Sequence, residues 1–243
     1  MAGKIITIEG LDGAGKSTQI DLLTGRLRCL GVKHKFIHFP MLDNGFYGKL
    51  IAEYLRGEFG SIERVHPKLV ALLFAEDRKE HKNQLIQWLN DGYLVIMDRY
   101  VNSNIAFQCA KTDRLMDKIE LKNWIVDFEF NHNQLPPPDL SFFLNVPFEF
   151  ITDSLTKDRM GADRAYLNGK VDIHEDSLEL QRKVYDEYLN LMEEQSNFFE
   201  IRCFSEDMSW LAPEKIHESI VAKIEQLQVN KELKQNPGYK GDY

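Results

Sequence analysis

The sequence predicts an α/β fold in which a five-stranded parallel sheet is covered by helices on both faces. Three observations predict it. Short, nearly continuous apolar runs recur along the chain, as strands buried on both faces require. Stretches with helical spacing fill the intervals between them, and alternating strand and helix implies parallel pairing through right-handed crossovers. No Pro/Gly/Ser-rich linker divides the 243 residues, so one domain is expected over residues 1–228, followed by a polar tail, 229–243.

In chain order, Lys4–Glu9 is the first strand, carried by Ile5, Ile6 and Ile8. Ser17–Leu30 follows with helical spacing. Lys35–Phe39 is the second strand, Gly48–Arg56 a helix, and His66–Asn90 one long helix. Tyr93–Asp98 gives the third strand through Leu94-Val95-Ile96-Met97, and Arg114–Phe130 the next helix. The rigid Pro136-Pro137-Pro138 loop leads into the fourth strand, Leu140–Val146. Pro147–Arg159 and Asp176–Gln195 read as helices on either side of an aperiodic segment, Phe198–Phe204 as the fifth strand, and Pro213–Gln228 as the last helix.

Composition sets limits on function. A formal net charge of −8 excludes polymeric nucleic acid as the expected partner, since phosphate backbones are bound by surplus Lys and Arg. A small phosphorylated ligand needs only a few cations gathered locally. No run of eighteen apolar residues suggests a membrane span, and the N-terminus enters a core strand at once, which reads as a cytoplasmic chain without a signal peptide. Cys29, Cys109 and Cys203 are odd in number and far apart, which argues against a disulfide framework or a zinc site. The seven histidines show no metal-ligand spacing.

The chemistry-bearing signal is Gly10-Leu11-Asp12-Gly13-Ala14-Gly15-Lys16-Ser17, the pattern of a phosphate-binding loop between a strand and a helix. Its glycines let backbone N–H groups curl around phosphate oxygens, Lys16 supplies a mobile positive charge, and the Ser17 hydroxyl suits Mg²⁺. The helix N-terminus behind the loop adds a partial positive charge. In parallel α/β sheets ligands bind beyond the carboxyl ends of the strands, which puts this loop, the Phe39-Pro40 turn and Asp98-Arg99-Tyr100 around one cleft. There Asp98 can hold Mg²⁺ through its water shell, and Arg99 can take a phosphate with two parallel hydrogen bonds; a surface ion pair is the plainer alternative. Phe74 and Arg78 lie four apart on one helical face, so a planar base could stack on one and accept from the other, although a core Phe and a solvated Arg have the same spacing. From Thr156 to His174, Lys157, Arg159, Arg164 and Lys170 are interleaved with glycines in a segment that reads as a mobile lid or as a solvated connection.

Together these stretches resemble the thymidylate kinase family of P-loop kinases. Ile8 to Gln19 is similar to its phosphate loop, with the acidic Asp12 that most such loops lack. Leu72-Leu73-Phe74-Ala75-Glu76-Asp77-Arg78, Asp98 through Phe107, and Pro138-Asp139-Leu140 match further family segments. The resemblance implies transfer of the γ-phosphoryl group of ATP to dTMP with Mg²⁺ as cofactor, and a homodimer. It implies ATP contacts at Gly10, Gly13, Ala14, Gly15, Lys16, Ser17 and Thr18, and metal binding at Ser17 and Asp98. It implies dTMP contacts at Asp12, Phe39, Phe74, Arg78, Arg99, Asn104, Phe107 and Tyr166, with Phe74 stacked on thymine, Arg78 on its oxygen, Asn104 in reach of the base, and Phe107 crowding the 2′ side of the sugar. Lys16, Asp12, Arg99, Arg159 and Arg164 would act in catalysis. Two departures stand out: the loop carries no Arg, so the lid arginines Arg159 and Arg164 would neutralise the moving phosphoryl group, and Met41 follows Phe39-Pro40 where many members have an Arg, leaving Arg99, with Lys49, to hold the acceptor phosphate.

Other readings compete. A related nucleoside or nucleotide kinase would share loop, sheet and lid, and one acting on a hydroxyl would want Glu9 or Asp12 as a base. A GTPase-like switch is disfavoured, because neither an Asn-Lys-x-Asp stretch nor an Asp-x-x-Gly after the Asp98 strand occurs. A nucleotide-binding scaffold without catalysis is disfavoured by the presence of Lys16, Ser17, Asp98 and Arg99.

Overall fold

The computed structural model describes residues 3–155, 166–167 and 172–235. Five parallel strands, β1 (Lys4–Glu9), β2 (His34–His38), β3 (Leu94–Asp98), β4 (Leu140–Asn145) and β5 (Phe198–Arg202), form one sheet in the order β2-β3-β1-β4-β5. All four pairings are parallel, with Ile8 opposite Asp98 and Thr7 opposite Ser141. Five successive residues of β1 and five of β4 are buried, so both faces of the central strands are covered, as the continuous apolar runs predict. Each strand lies within two residues of its expected limits.

The helices are α1 (Lys16–Cys29), α2 (Phe46–Leu55), α3 (Pro67–Glu80), α4 (Lys82–Asn90), α5 (Val101–Cys109), α6 (Leu115–Val126), α7 (Phe148–Leu155), α8 (Ile173–Asp176), α9 (Leu178–Glu194) and α10 (Pro213–Gln235). The stretch expected as one helix, His66–Asn90, divides at His81, whose Nδ1 lies 3.0 Å from the Asp77 carbonyl oxygen. The expected helix Arg114–Phe130 ends at Val126, and a π-helical turn, Asp127–His132, takes over. α10 runs seven residues beyond the expected end at Gln228.

α5 is a helix that the sequence does not announce. All nine of its residues are buried, polar Asn102, Ser103, Asn104 and Gln108 among them, so it has no solvent face and no amphipathic period. It packs against α3, α6 and α9. That burial brings α5 directly behind the carboxyl ends of β1 and β3, where the functional side chains converge.

Candidate active site

The phosphate loop links β1 to α1. Gly13 (φ 85°) and Gly15 (φ 83°) take the left-handed backbone conformation that side-chain-bearing residues adopt at a cost, which lets the loop turn tightly into the helix. Gly15 is the residue before the first turn of α1, so the unpaired N–H groups of that turn open toward the loop. Lys16 folds back onto its own loop, its Nζ donating to the Leu11 carbonyl at 3.0 Å and lying 3.9 Å from Asp12 Oδ1. Burial, reinforced by Arg99, holds its pKa below the usual lysine value despite Asp98, Asp12 and Glu9 nearby. Ser17 and Thr18 are exposed at the mouth.

Beyond β3 the chain turns through Arg99 with φ 63°, a strained conformation for a non-glycine residue, worth about 1–3 kcal/mol. Several contacts hold it. Arg99 N–H donates to the Ile8 carbonyl (3.1 Å) and Tyr100 N–H to Glu9 Oε1 (2.9 Å). Glu9 is fully buried and also accepts from Ser103 Oγ (2.5 Å) and Tyr188 OH (3.2 Å); burial pushes its pKa up, against those hydrogen bonds and the Arg99 charge. The turn aims the Arg99 guanidinium across the cleft to Asp12 Oδ1 at 2.5 Å, with Ser103 Oγ at 3.2 Å. Asp12 also accepts from Gln181 Nε2 (3.3 Å). Burial opposes ionisation of Asp12, but the Arg99 and Lys16 cations outweigh it and hold the carboxyl well below the usual range.

Asp98 ends β3 buried, with Oδ2 3.3 Å from His38 Nδ1 and Oδ1 without a partner. Burial works against its charge, yet the His38 contact and Lys16 keep its pKa below the ordinary carboxylate value.

Opposite the loop, Phe74 and Arg78 project from one face of α3, and Phe74 packs at the edge of the Ile51, Tyr54, Leu55 and Val70 cluster. Arg78 is 2% exposed and pairs bidentately with Glu129 of the π-helical turn, through Nε (2.8 Å) and Nη2. Asn104 of α5 donates to the same carboxylate (2.9 Å) and to the Ala71 carbonyl (3.0 Å). Phe107 lies one turn further on, its ring 5.1 Å from the Arg99 guanidinium and stacked on His174 at 5.4 Å. Tyr166 donates to Asp172 Oδ2 at 2.6 Å, and its carbonyl accepts from Arg56 (2.8 Å).

These groups border one cavity of about 760 Å³, lined by Asp12, Gly13, Gly15 through Thr18, Phe39, Phe74, Arg78, Asp98, Arg99, Asn104, Phe107 and Tyr166. Of the expected site residues, Gly10 and Ala14 stand behind its wall: Gly10 packs on Leu144, and Ala14 is core. Phe39 is itself almost wholly buried against His81 and Tyr100, showing the cavity only an edge of the core. Lys49 is exposed on α2 and does not line the cavity, and the Met41 N–H is taken by Asp77 Oδ2 at 3.2 Å. Arg159 and Arg164 lie outside the described residues.

Sequence reasoning passes over Glu129, Ser103, Gln181, Tyr188 and His174, all buried here around the site. Ser103 stands within the Asp98–Phe107 segment without an assigned role and His174 only closes the Thr156–His174 segment, whereas Glu129, Gln181 and Tyr188 stand in no motif and reach the cleft from elements far away in the chain.

The family model described as thymidylate kinase matches residues 8–207. A thymidylate kinase of Brachyspira hyodysenteriae is 31% identical over 209 residues, covering 80% of this chain and 95% of that protein. One of Plasmodium falciparum is 31% identical over 241 residues, covering 95% and 93%. The solved thymidylate kinase of Candida albicans, described as having broad substrate specificity, superposes with a TM-score of 0.69 at 27% identity over 93% of both chains. With its phosphate loop, its parallel sheet and this match over most of its length, the chain belongs to the thymidylate kinase family.

Proposed function

We propose that the chain transfers the γ-phosphoryl group of ATP to dTMP, giving ADP and dTDP. The observation that carries this reading is a single cavity in which the phosphate loop and the Phe74/Arg78/Asn104 slot open toward each other across Arg99. Donor and acceptor phosphates bound at the two ends would meet there roughly in line, and positioning of that kind supplies most of the catalysis in phosphoryl transfer. Lys16 and the loop N–H groups would hold the triphosphate, and Arg99 would exchange Asp12 for the acceptor phosphate. The released Asp12 carboxylate, still held by Gln181, would then be free to orient the acceptor sugar. An acceptor phosphate oxygen is already anionic, so no strong base is required. Arg159 and Arg164 would add positive charge as the phosphoryl group moves.

Magnesium fits the residues present. The buried, unpartnered Oδ1 of Asp98 and the exposed Ser17 hydroxyl border the same cavity, and a hard cation that keeps several waters suits such a sparse oxygen set. Once bound, the ion would offset negative charge on the triphosphate.

A homodimer accords with the surface. Leu115, Met116, Ile119 and Val126 are exposed on α6 and Leu69 on the adjoining α3, an apolar stripe that a second copy would cover. No helix among the described residues is long and apolar enough to cross a membrane, and a cytoplasmic site suits three cysteines without a disulfide. An ADP-release assay with ATP, Mg²⁺ and each common nucleoside monophosphate tests the activity. Highest turnover is expected with dTMP; highest turnover with dCMP, AMP or an unphosphorylated nucleoside overturns the reading.

A further inference from the structure

We propose that Glu129 is a specificity-determining positioning residue: by fixing Arg78 and the amide of Asn104 together, it writes the hydrogen-bonding pattern that the base slot offers. The inference rests on the reading of this cavity as a nucleotide site.

Glu129 has no exposed surface. As a carboxylate it only accepts hydrogen bonds, and three donors converge on it: Arg78 Nε, Arg78 Nη2 and Asn104 Nδ2. The Arg78 fork is therefore consumed on one side, leaving the Nη1 edge as the donor available to a ligand. The consequence for Asn104 is sharper. Its Nδ2 faces two groups that can only accept, Glu129 and the Ala71 carbonyl. Flipping the amide would set its oxygen against both, so the orientation is determined. Oδ1 is turned to the other side, where it is buried and has no partner. An acceptor left unpaired in that way is costly unless a ligand supplies a donor.

Arg78 and Asn104 both line the cavity. A slot with a donor from Arg78 beside an acceptor from Asn104 complements a base edge carrying a carbonyl oxygen next to a ring N–H. Thymine has that edge at O4 and N3–H. Cytosine presents the reverse, an amino group beside a bare ring nitrogen, and would meet donor with donor and acceptor with acceptor. Glu129 thus acts on the base through two other side chains. The π-helical turn provides its placement, since a regular continuation of α6 would carry residue 129 to a different angle.

The test compares dTMP with 5-methyl-dCMP, which matches it in size and reverses both groups, in the wild type and in Glu129→Gln. The wild type is expected to prefer dTMP in kcat/KM by at least about a hundredfold, the scale on which sites built to pair a polar group reject its mismatch. In Glu129→Gln the charge that holds Arg78 is gone and one acceptor oxygen becomes an N–H, which faces Arg78 Nε in one setting, or Arg78 Nη2 and Asn104 Nδ2 together in the other, where the Asn104 amide is released to turn. KM for dTMP should rise by about tenfold with kcat within about threefold, and the preference over 5-methyl-dCMP should fall by at least about tenfold. A folded variant that loses activity on both substrates by the same factor assigns Glu129 a purely structural role and overturns the proposal. Should the variant not fold, the wild type decides: equal use of the two substrates overturns the proposal and a strong preference supports it. A wild type inactive on dTMP would instead refute the kinase reading itself.

Discussion

Lys111 lies just beyond α5, half-buried behind Phe107, and its Nζ sits 2.9 Å from Tyr54 OH, 2.8 Å from Gln108 Oε1 and 3.0 Å from His174 Nε2. Burial lowers its pKa from 10.5 to about 7, only partly offset by Asp172. Since one pKa unit is worth about 1.4 kcal/mol, holding this ammonium in the folded chain costs up to about 5 kcal/mol below pH 7, and water reaching a half-buried group reduces that to about 2–3 kcal/mol. The sign follows from proton counting. Between pH 7 and 10.5 the unfolded chain binds a proton at Lys111 that the folded chain has lost, so this group makes stability rise with pH across that window. Two buried thiols work the other way, because Cys109 and Cys203 are pushed up to about 12 by burial and the unfolded chain gives up their protons first. A difference between two proteins removes their contribution. Urea unfolding of wild type and Lys111→Met at pH 7, 8, 9 and 10 should find the variant gaining relative stability at pH 7, with the gap shrinking by about 2–3 kcal/mol by pH 10. A gap independent of pH would refute the argument, since it would mean that the amine stays charged throughout.

Arg99→Met removes the cation that faces Asp12 and that, in the proposed reaction, would hold the acceptor phosphate; loss of two charge-assisted hydrogen bonds, about 1.5–3 kcal/mol each, should weaken dTMP binding by at least about a hundredfold in calorimetry. Unchanged affinity would refute that role. Arg159→Ala and Arg164→Ala should each lower kcat by about tenfold or more with KM nearly constant, and steady-state values within about twofold of wild type would dismiss the proposed role of these two arginines. Gly48→Ala places a Cβ 2.0 Å from the Met41 carbonyl oxygen, a collision with backbone rather than with a flexible side chain, so the thermal midpoint should drop by several degrees, corresponding to about 1–3 kcal/mol.

What was legible in the sequence divides along physical lines. The strands were readable because burial on both faces gives uninterrupted apolar runs, and the phosphate loop because its chemistry demands glycines at fixed places. α1, α3 and α9 gave periodic patterns. α5 did not, because a helix enclosed on every side has no reason to alternate apolar and polar positions. Its polar residues are paid for by partners remote in sequence: Ser103 by Glu9 and Tyr188, Asn102 by Gln195, Asn104 by Glu129. The same holds for the site. Asp12, Lys16, Asp98 and Arg99 sit in motifs, whereas Glu129 and His174 acquire their places only when 51 residues separate one partner from Arg78 and 120 separate the other from Tyr54. The split at His81 and the π-helical turn arise from packing, which local spacing does not encode.

The Asp12–Arg99 pair has a consequence for any molecule made to compete at this cleft. In the resting chain the guanidinium is already satisfied by an internal carboxylate, so an entering anion gains only its advantage over that tethered rival. A doubly charged phosphate has such an advantage. A mimic that replaces it with a simple carboxylate offers the arginine what it already has, and must draw its whole affinity from the aromatic end of the cleft.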